Sequence, residues 1–186
     1  MAVILASQSP RRKELMQLLD MPFVVQVADV KETLEPGLSP AQQVAQLSRR
    51  KAEAVAHTPQ DVVIGADTVV VYGDAILGKP ADEADAVRML TMLSGKTHQV
   101  MTGLTVLHQG QAITETVVTE VTFRTLSQEE IARYVETKEP MDKAGSYGIQ
   151  GGAARFVEHI RGDYYNVVGL PVCRLDQILS QLMEEK

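Results

Sequence analysis

The chain has 186 residues, 45% of them apolar and 23% charged, with a formal net charge of −6 at pH 7. That length is enough for one domain with a sizeable core. The acidic balance argues against general nucleic-acid binding, and no apolar run approaches the roughly 20 residues of a membrane span.

The short apolar stretch of "MAVILASQSPRR" is followed rather than preceded by positive charge, which is the wrong arrangement for a signal peptide. "VILA" reads as a short buried strand. Ser9 is a good N-cap, Pro10 suits the first helical position, and Leu15, Leu18 and Leu19 give helical spacing. A second strand, "FVVQV", leads into the acidic loop "ADVKETLEPGL". Ser39 and Gln42 form a capping box with Pro40 between them, so a helix is expected to run to about Ala56. "DVVIGADTVVVYG" is strand-like, with a turn beginning at Tyr72-Gly73-Asp74. A helix from about Ala81 to Leu93 is expected to stop at the C-cap glycine Gly95.

Two long segments rich in Val and Thr, "HQVMTGLTVLHQ" and "QAITETVVTEVTFRTL", predict a long hairpin joined near Gly110. Ser127 and Glu130 open a further helix with a second capping box. A glycine-rich loop follows, then the strand "RFVEHI", a turn at Gly162 and a last helix from about Pro171. In that helix Val172, Leu175, Ile178, Leu179 and Leu182 form the apolar stripe. Strands and helices mix without strict βαβ repetition, so the expected fold is a single α/β domain over residues 1–186. Its sheet is expected to be mixed, strongly twisted and flanked by helices. The lone Cys173 excludes an internal disulfide, and cysteine usage of this kind predicts a cytoplasmic protein.

Any polyanion must be met by a local cluster of cations, and there are two: Arg11, Arg12, Lys13 and Arg49, Arg50, Lys51. Three cations on the first turn of a helix oppose its dipole unless an anion shares the site. Backbone N–H groups there, with Ser7, Ser9, Arg11 and Arg12, are the elements of an anion site. Asp67 lies within an apolar run, where an ionised carboxylate is costly without partners. It either caps a turn at a strand end or is held at the sheet rim to bind a metal or activate water.

Lys51 shares the helical stripe of Val44, Leu47 and Val55, so it either snorkels outward or points its charge into a cleft. Lys79, in "LGKP", is a solvated turn lysine or a further phosphate contact. Glu32 is part of a solvated acidic loop or, with Asp67, a ligand for a divalent ion facing a triphosphate. In "KAGSYGIQGGAARF" the glycines suit close approach to a flat ligand, and the Gln150 amide can read a base edge. The "RGD" at Arg161–Asp163 reads as a turn. Cations for phosphates beside carboxylates for a metal are what phosphoryl chemistry on a nucleotide requires.

Taken in order, "LASQSPRRKELM", "GADTVV", "LGKP", "LSGKTHQVMTGL", "EPMDKAGSYGIQG" and "GDYYNVVGLPV" resemble the Maf family of nucleoside triphosphate pyrophosphatases over nearly the whole chain. The likeness is greatest to the bacterial branch acting on dTTP and UTP, once described as septum-formation inhibitors. It implies a fold related to the inosine triphosphate pyrophosphatases, with a cleft between two lobes, and homodimers. It implies hydrolysis at the α-phosphate to a monophosphate and pyrophosphate, with Mg²⁺ or Mn²⁺, to remove unwanted or modified nucleotides, and a link to cell-division arrest. The family's S-x-S-x-R-R motif is met by Ser7, Ser9, Arg11 and Arg12, and its catalytic aspartate by Asp67. Its substrate-selecting positions fall on Arg11, Thr68 and Gln150, and its cleft lysines on Lys51 and Lys79. The competing reading is a non-enzymatic nucleotide-binding regulator of septum formation. Asp67 speaks against it, since a carboxylate beside an anion site repels phosphate unless a metal is present.

Overall fold

The protein is described here by a computed structural model covering residues 1–27 and 29–184. The first strand, β1 (Val3–Ala6), consists of four buried residues. It is flanked on both sides by parallel partners, β2 (Val24–Gln26) and β3 (Val62–Tyr72). Continuous apolar runs are what parallel strands covered on both faces demand. The first helix, α1 (Pro10–Met16), lies between β1 and β2, and α2 (Pro40–Glu53) lies between β2 and β3. The short β4 (Ala75–Leu77) turns back antiparallel onto the end of β3. After α3 (Glu83–Leu93), β5 (Thr97–His108) and β6 (Gln111–Phe123) form the long hairpin. Its two turn residues, Gln109 and Gly110, both have positive φ, as a tight hairpin with right-handed strand twist requires. The chain ends with α4 (Gln128–Glu136), β7 (Val157–Arg161), α5 (Tyr164–Val168) and α6 (Val172–Glu184).

The seven strands form one mixed sheet in the order β2-β1-β3-β5-β6-β7, with β4 paired to β3. The expected α/β class with a mixed sheet and flanking helices is therefore the observed one. The chain divides into two compact units. The first comprises residues 1–67, 102–117 and 169–186, and the second residues 68–101 and 118–168. The division falls inside strands, after Asp67 in β3, after Met101 in β5 and after Val117 in β6.

In the first unit, α2 lies close against the sheet because two strand positions have no side chain. A Cβ on Gly65 would sit 2.9 Å from the Ala52 backbone N, and one on Gly103 would sit 2.7 Å from that of Ala45. This close approach brings the buried Ser48 hydroxyl within 2.8 Å of Thr105. It also packs Ala52 and Val55 into a cluster with Ile4, Ala6, Val63 and Leu107. The start of α2 carries the expected capping box: Ser39 Oγ accepts from the Gln42 N–H, and Gln42 Oε1 accepts from the Ser39 N–H. Its regular part ends at Glu53 rather than Ala56.

The core of the second unit is aromatic. Tyr147 and His98 meet Phe123 edge to face, and Phe156 continues the cluster to Tyr134. The capping box at Ser127 and Glu130 opens α4 as expected. The helix α3 begins at Glu83 instead of Ala81, because the Asp82 carboxylate accepts the Asp85 N–H and sets the N-cap there. The glycine-rich loop contains three short 3₁₀ turns, at Glu139–Asp142, Ala144–Ser146 and Gly152–Phe156. At the "RGD" turn, Thr119 Oγ1 donates to the Asp163 carbonyl, and Gly162 has a φ of +128°.

Candidate active site

In an open parallel sheet, the carboxyl end of a strand whose neighbours lie on either side is where ligands are met. The strand β1 is such a strand, with β2 on one side and β3 on the other. Leu5 pairs with Ile64, so Ser7 and Asp67 both follow the last paired residues at that end. The polar chemistry of the first unit collects there.

Ser7 is 7% exposed, and its hydroxyl accepts from the Ser9 N–H at 3.2 Å and from Arg12 Nη1 at 3.5 Å. Ser9 is the N-cap of α1, accepting the Arg12 N–H. The free-amide expectation for this helix start is thus met only in part, since the Arg12 and Lys13 N–H groups bond to the Ser9 hydroxyl and carbonyl. The side chain of Arg12 folds inward and its Nε donates to the Gly169 carbonyl at 2.7 Å. Gly169 has a φ of +128°, a region that favours glycine. Burial draws the Arg12 pKa below its ordinary value, with Asp67 and Glu32 opposing and Arg11 adding to the effect. A guanidinium stays charged regardless. Arg11 is half-buried and Lys13 exposed.

Asp67 stands in the interior of β3, 8% exposed, not at a strand end. The turn-cap reading therefore falls, and the partner that a buried carboxylate needs is Lys51. Lys51 Nζ lies 2.7 Å from Asp67 Oδ1 and 2.6 Å from Glu32 Oε1. Its stripe position on α2 does not lead to snorkelling: the residue is 8% exposed and its ammonium is turned onto two carboxylates. The rest of the second cationic cluster is used elsewhere. Arg49 pairs with Glu53, and Arg50 reaches the Lys31 carbonyl and Glu35.

Glu32 and Asp67 therefore place two hard oxygen donors around one cation position, which Lys51 holds. Among the described residues no group of three or more His, Cys, Asp or Glu side chains is arranged for a metal. A divalent ion of the Mg²⁺ type needs only one or two protein carboxylates when phosphate oxygens and water complete its shell. The two-carboxylate set fits that requirement.

Thr68, Lys79 and Gln150 belong to the second unit. Thr68 follows Asp67 on β3 and is half-buried, while Lys79 and Gln150 are exposed. The Gly145 N–H donates to the Gly78 carbonyl at 3.0 Å, tying the loop of Lys79 to the segment that leads to Gln150. The Gly169 carbonyl that holds Arg12 is a group that residue types do not reveal; it lies in "GDYYNVVGLPV", a stretch that carries the family likeness without marking this contact.

A family model described as "Maf-like protein" matches residues 2–182. A protein of Bacillus cytotoxicus named dTTP/UTP pyrophosphatase is 55% identical over 179 residues, 96% of this chain and 94% of that protein. One of Bacillus mycoides with the same name is 55% identical over 181 residues, again 96% and 94%. One of Bacillus cereus, also so named, is 53% identical over 180 residues with the same coverage.

Proposed function

The chain belongs to the Maf family, and from that premise we propose that it is a nucleoside triphosphate pyrophosphatase acting on dTTP and UTP. The observation that carries the reading is the buried Lys51 ammonium held between Asp67 and Glu32, with Arg12 beside them, at the carboxyl end of β1.

Asp67 accepts a proton from the attacking water as its oxygen bonds to the α-phosphorus. The bond from that phosphorus to the α–β bridging oxygen breaks, and pyrophosphate leaves with the bridging oxygen. Arg11, Arg12, Lys51 and Lys79 bind the triphosphate and offset the negative charge that builds on it. Ser7 fixes the Arg12 guanidinium and Ser9 the start of α1, so these groups are set before substrate arrives. Asp67 and Glu32 would hold Mg²⁺ or Mn²⁺ once the Lys51 ammonium turns from them to the substrate, and the ion would supply Lewis-acid charge neutralisation.

Gln150 reads the base. Uracil and thymine offer an acceptor, a donor and an acceptor along their pairing edge, and one primary amide can both donate to and accept from it. Cytosine inverts the O4 and N3 pattern, leaving amide atoms facing like partners, a mismatch that can discriminate by about 10⁴-fold in a site built to hydrogen-bond. Thr68 and Arg11 assist that selection. Residues 1–186 act as one catalytic domain, in a cytoplasmic homodimer that limits incorporation of unwanted or modified nucleotides, with a consequence for cell division. The exposed free thiol of Cys173 fits a reducing compartment.

The test is pyrophosphate release from a panel of nucleoside triphosphates, with metal and with chelator. We expect dTTP and UTP to be used well, and CTP and the purine triphosphates poorly. Asp67→Asn should lower turnover of dTTP by about 10²–10⁴-fold, the range for loss of a general base. Turnover of dTTP by that variant at the wild-type rate would remove Asp67 from the reaction.

A further inference from the structure

In the second unit, the turn that carries Gln150 is built around a carboxylate. Glu139 is half-buried at the start of a 3₁₀ turn. Its side chain accepts the Tyr134 O–H at 2.8 Å through Oε1. It also accepts the Gly152 N–H, at 3.1 Å on Oε1 and 3.0 Å on Oε2. The Tyr134 oxygen in turn accepts the Gly148 N–H at 3.0 Å. Both ends of the segment Gly148–Gly152 are thereby held by one hydroxyl–carboxylate pair, and Gln150 is its middle residue. The Gly151 N–H closes the turn onto the Gly148 carbonyl at 3.1 Å.

The anchor itself is rigid. Tyr134 is 1% exposed, its ring set edge to face on Phe156 at 5.2 Å, so the hydroxyl is fixed by the aromatic core. Burial and the nearby Glu139 raise the tyrosine pKa, which keeps the phenol as a donor. Absent side chains let the turn wrap the carboxylate. A Cβ on Gly151 would lie 2.6 Å from Glu139 Cδ, and one on Gly148 would lie 3.2 Å from Glu139 Oε1. The carboxylate thus occupies space that the turn's glycines leave open, while Gln150 itself is exposed.

We propose that Glu139, seated on the Tyr134 hydroxyl, is the positioning residue for base selection. It sets the register of the Gln150 amide without touching the nucleotide. The inference rests on the reading of Gln150 given above. A hydrogen-bonding site discriminates only while its groups are held in place: a Gln150 amide free to rotate through a loose glycine turn satisfies cytosine as readily as thymine. The selectivity of the enzyme is therefore lodged in a residue one layer behind the one that reads.

The experiment measures kcat and KM for dTTP and CTP in the wild type and in Gln150→Ala, Glu139→Gln, Tyr134→Phe and the double variant Glu139→Gln/Gln150→Ala. Glu139→Gln places an amide NH₂ against the Gly152 N–H in place of one acceptor. We expect KM for dTTP to rise and the dTTP-to-CTP ratio of kcat/KM to fall, each by about tenfold, with kcat little changed. Tyr134→Phe keeps the packed ring, removes only the hydroxyl, and should give the same signature. It decides the matter if Glu139→Gln does not fold. The double variant should be no less selective than Gln150→Ala alone, since both act through one group. A ratio left intact by Glu139→Gln and Tyr134→Phe, while Gln150→Ala compresses it, overturns the proposal. So does an equal loss for both substrates accompanied by a lowered melting temperature. If instead the wild type does not distinguish dTTP from CTP, or Gln150→Ala leaves their ratio unchanged, it is the base-reading role of Gln150 that has failed, and the proposal falls with it.

Discussion

Lys51→Met tests the charge cluster where its energy is concentrated. The substitution keeps most of the aliphatic stem and removes the ammonium that lies 2.7 Å from Asp67 and 2.6 Å from Glu32. The two carboxylates then fare differently. The Glu32 side chain is 50% exposed and is hydrated without its partner, whereas that of Asp67 is 11% exposed and is left as a buried charge. Removing one member of a buried pair costs about 3–5 kcal/mol. The attraction of Arg12 for Asp67 remains, so a cost of about 2–3 kcal/mol is expected, a fall of roughly 4–12 °C in the melting temperature of a chain this long.

The reverse change, Asp67→Asn, should be milder because Lys51 keeps Glu32. The double variant Lys51→Met/Asp67→Asn should recover most of the loss, since no buried charge is then unpaired. Thermal denaturation followed by circular dichroism at pH 7, without nucleotide or metal, measures all three. A Lys51→Met protein that melts within about 1 °C of the wild type, or a double variant as unstable as the sum of the singles, would refute the argument that Lys51 is the partner that makes a buried Asp67 tolerable.

Arg12→Ala should lower kcat/KM for dTTP by about 10–150-fold, the equivalent of one charge-assisted contact. Lys13→Ala, one position on and fully outward, should change it little, and comparable losses in the two would show that the wrong face of α1 had been assigned to the phosphates. His98 supplies a pH dependence: burial among Phe123 and Tyr147 lowers its pKa to about 4, so the unfolded chain takes up a proton near pH 6.5 that the folded protein refuses. Stability should be fully present above about pH 6.5 and decline by roughly 3 kcal/mol as the pH falls to about 4. Asp61 and Glu130, whose pKa values are depressed to about 2, begin to lose their contributions at the acid end of that window, as their unfolded carboxylates protonate, and lose the rest below it. His98→Gln does not titrate, and melting curves between pH 6.5 and 4 should show its slope much reduced; an unchanged slope would acquit His98.

What the sequence discloses and what it withholds divide along the range of the interaction involved. Both capping boxes are reciprocal bonds between residues three apart, Ser39 with Gln42 and Ser127 with Glu130, and both are present as read. The long hairpin rests on a two-residue turn and on Val- and Thr-rich strands, again local facts. What the sequence withholds is local too where no periodicity exists to be read. The helix α5 spans only five residues and β4 three, too few for either period to declare itself. The 3₁₀ turns between Glu139 and Phe156 are imposed by tertiary contacts of glycines such as Gly145, where a Cβ would lie 2.9 Å from that of Val70.

The candidate site follows the same division, with one instructive difference. Asp67 and Lys51 are each conspicuous alone in the sequence, as a charge inside an apolar strand and a charge on an apolar helical stripe, and each leaves two readings open. Neither anomaly is resolved by its own neighbourhood, because the resolution is the other residue. The strand β3 carries Asp67 past the carboxyl end of β1, and the helix period turns Lys51 inward. Only the close approach of α2 to Gly65 and Gly103 brings the two within 2.7 Å. Two charges that each violate burial are cheaper together than apart, so a pair of local violations on elements that pack against each other is itself a signal of contact. The Gly169 carbonyl emits no such signal, since a backbone oxygen has no residue type, and nothing in the sequence links it to the Arg12 guanidinium it holds. Side-chain chemistry at such a site is therefore legible in advance, whereas the backbone that aims it is not.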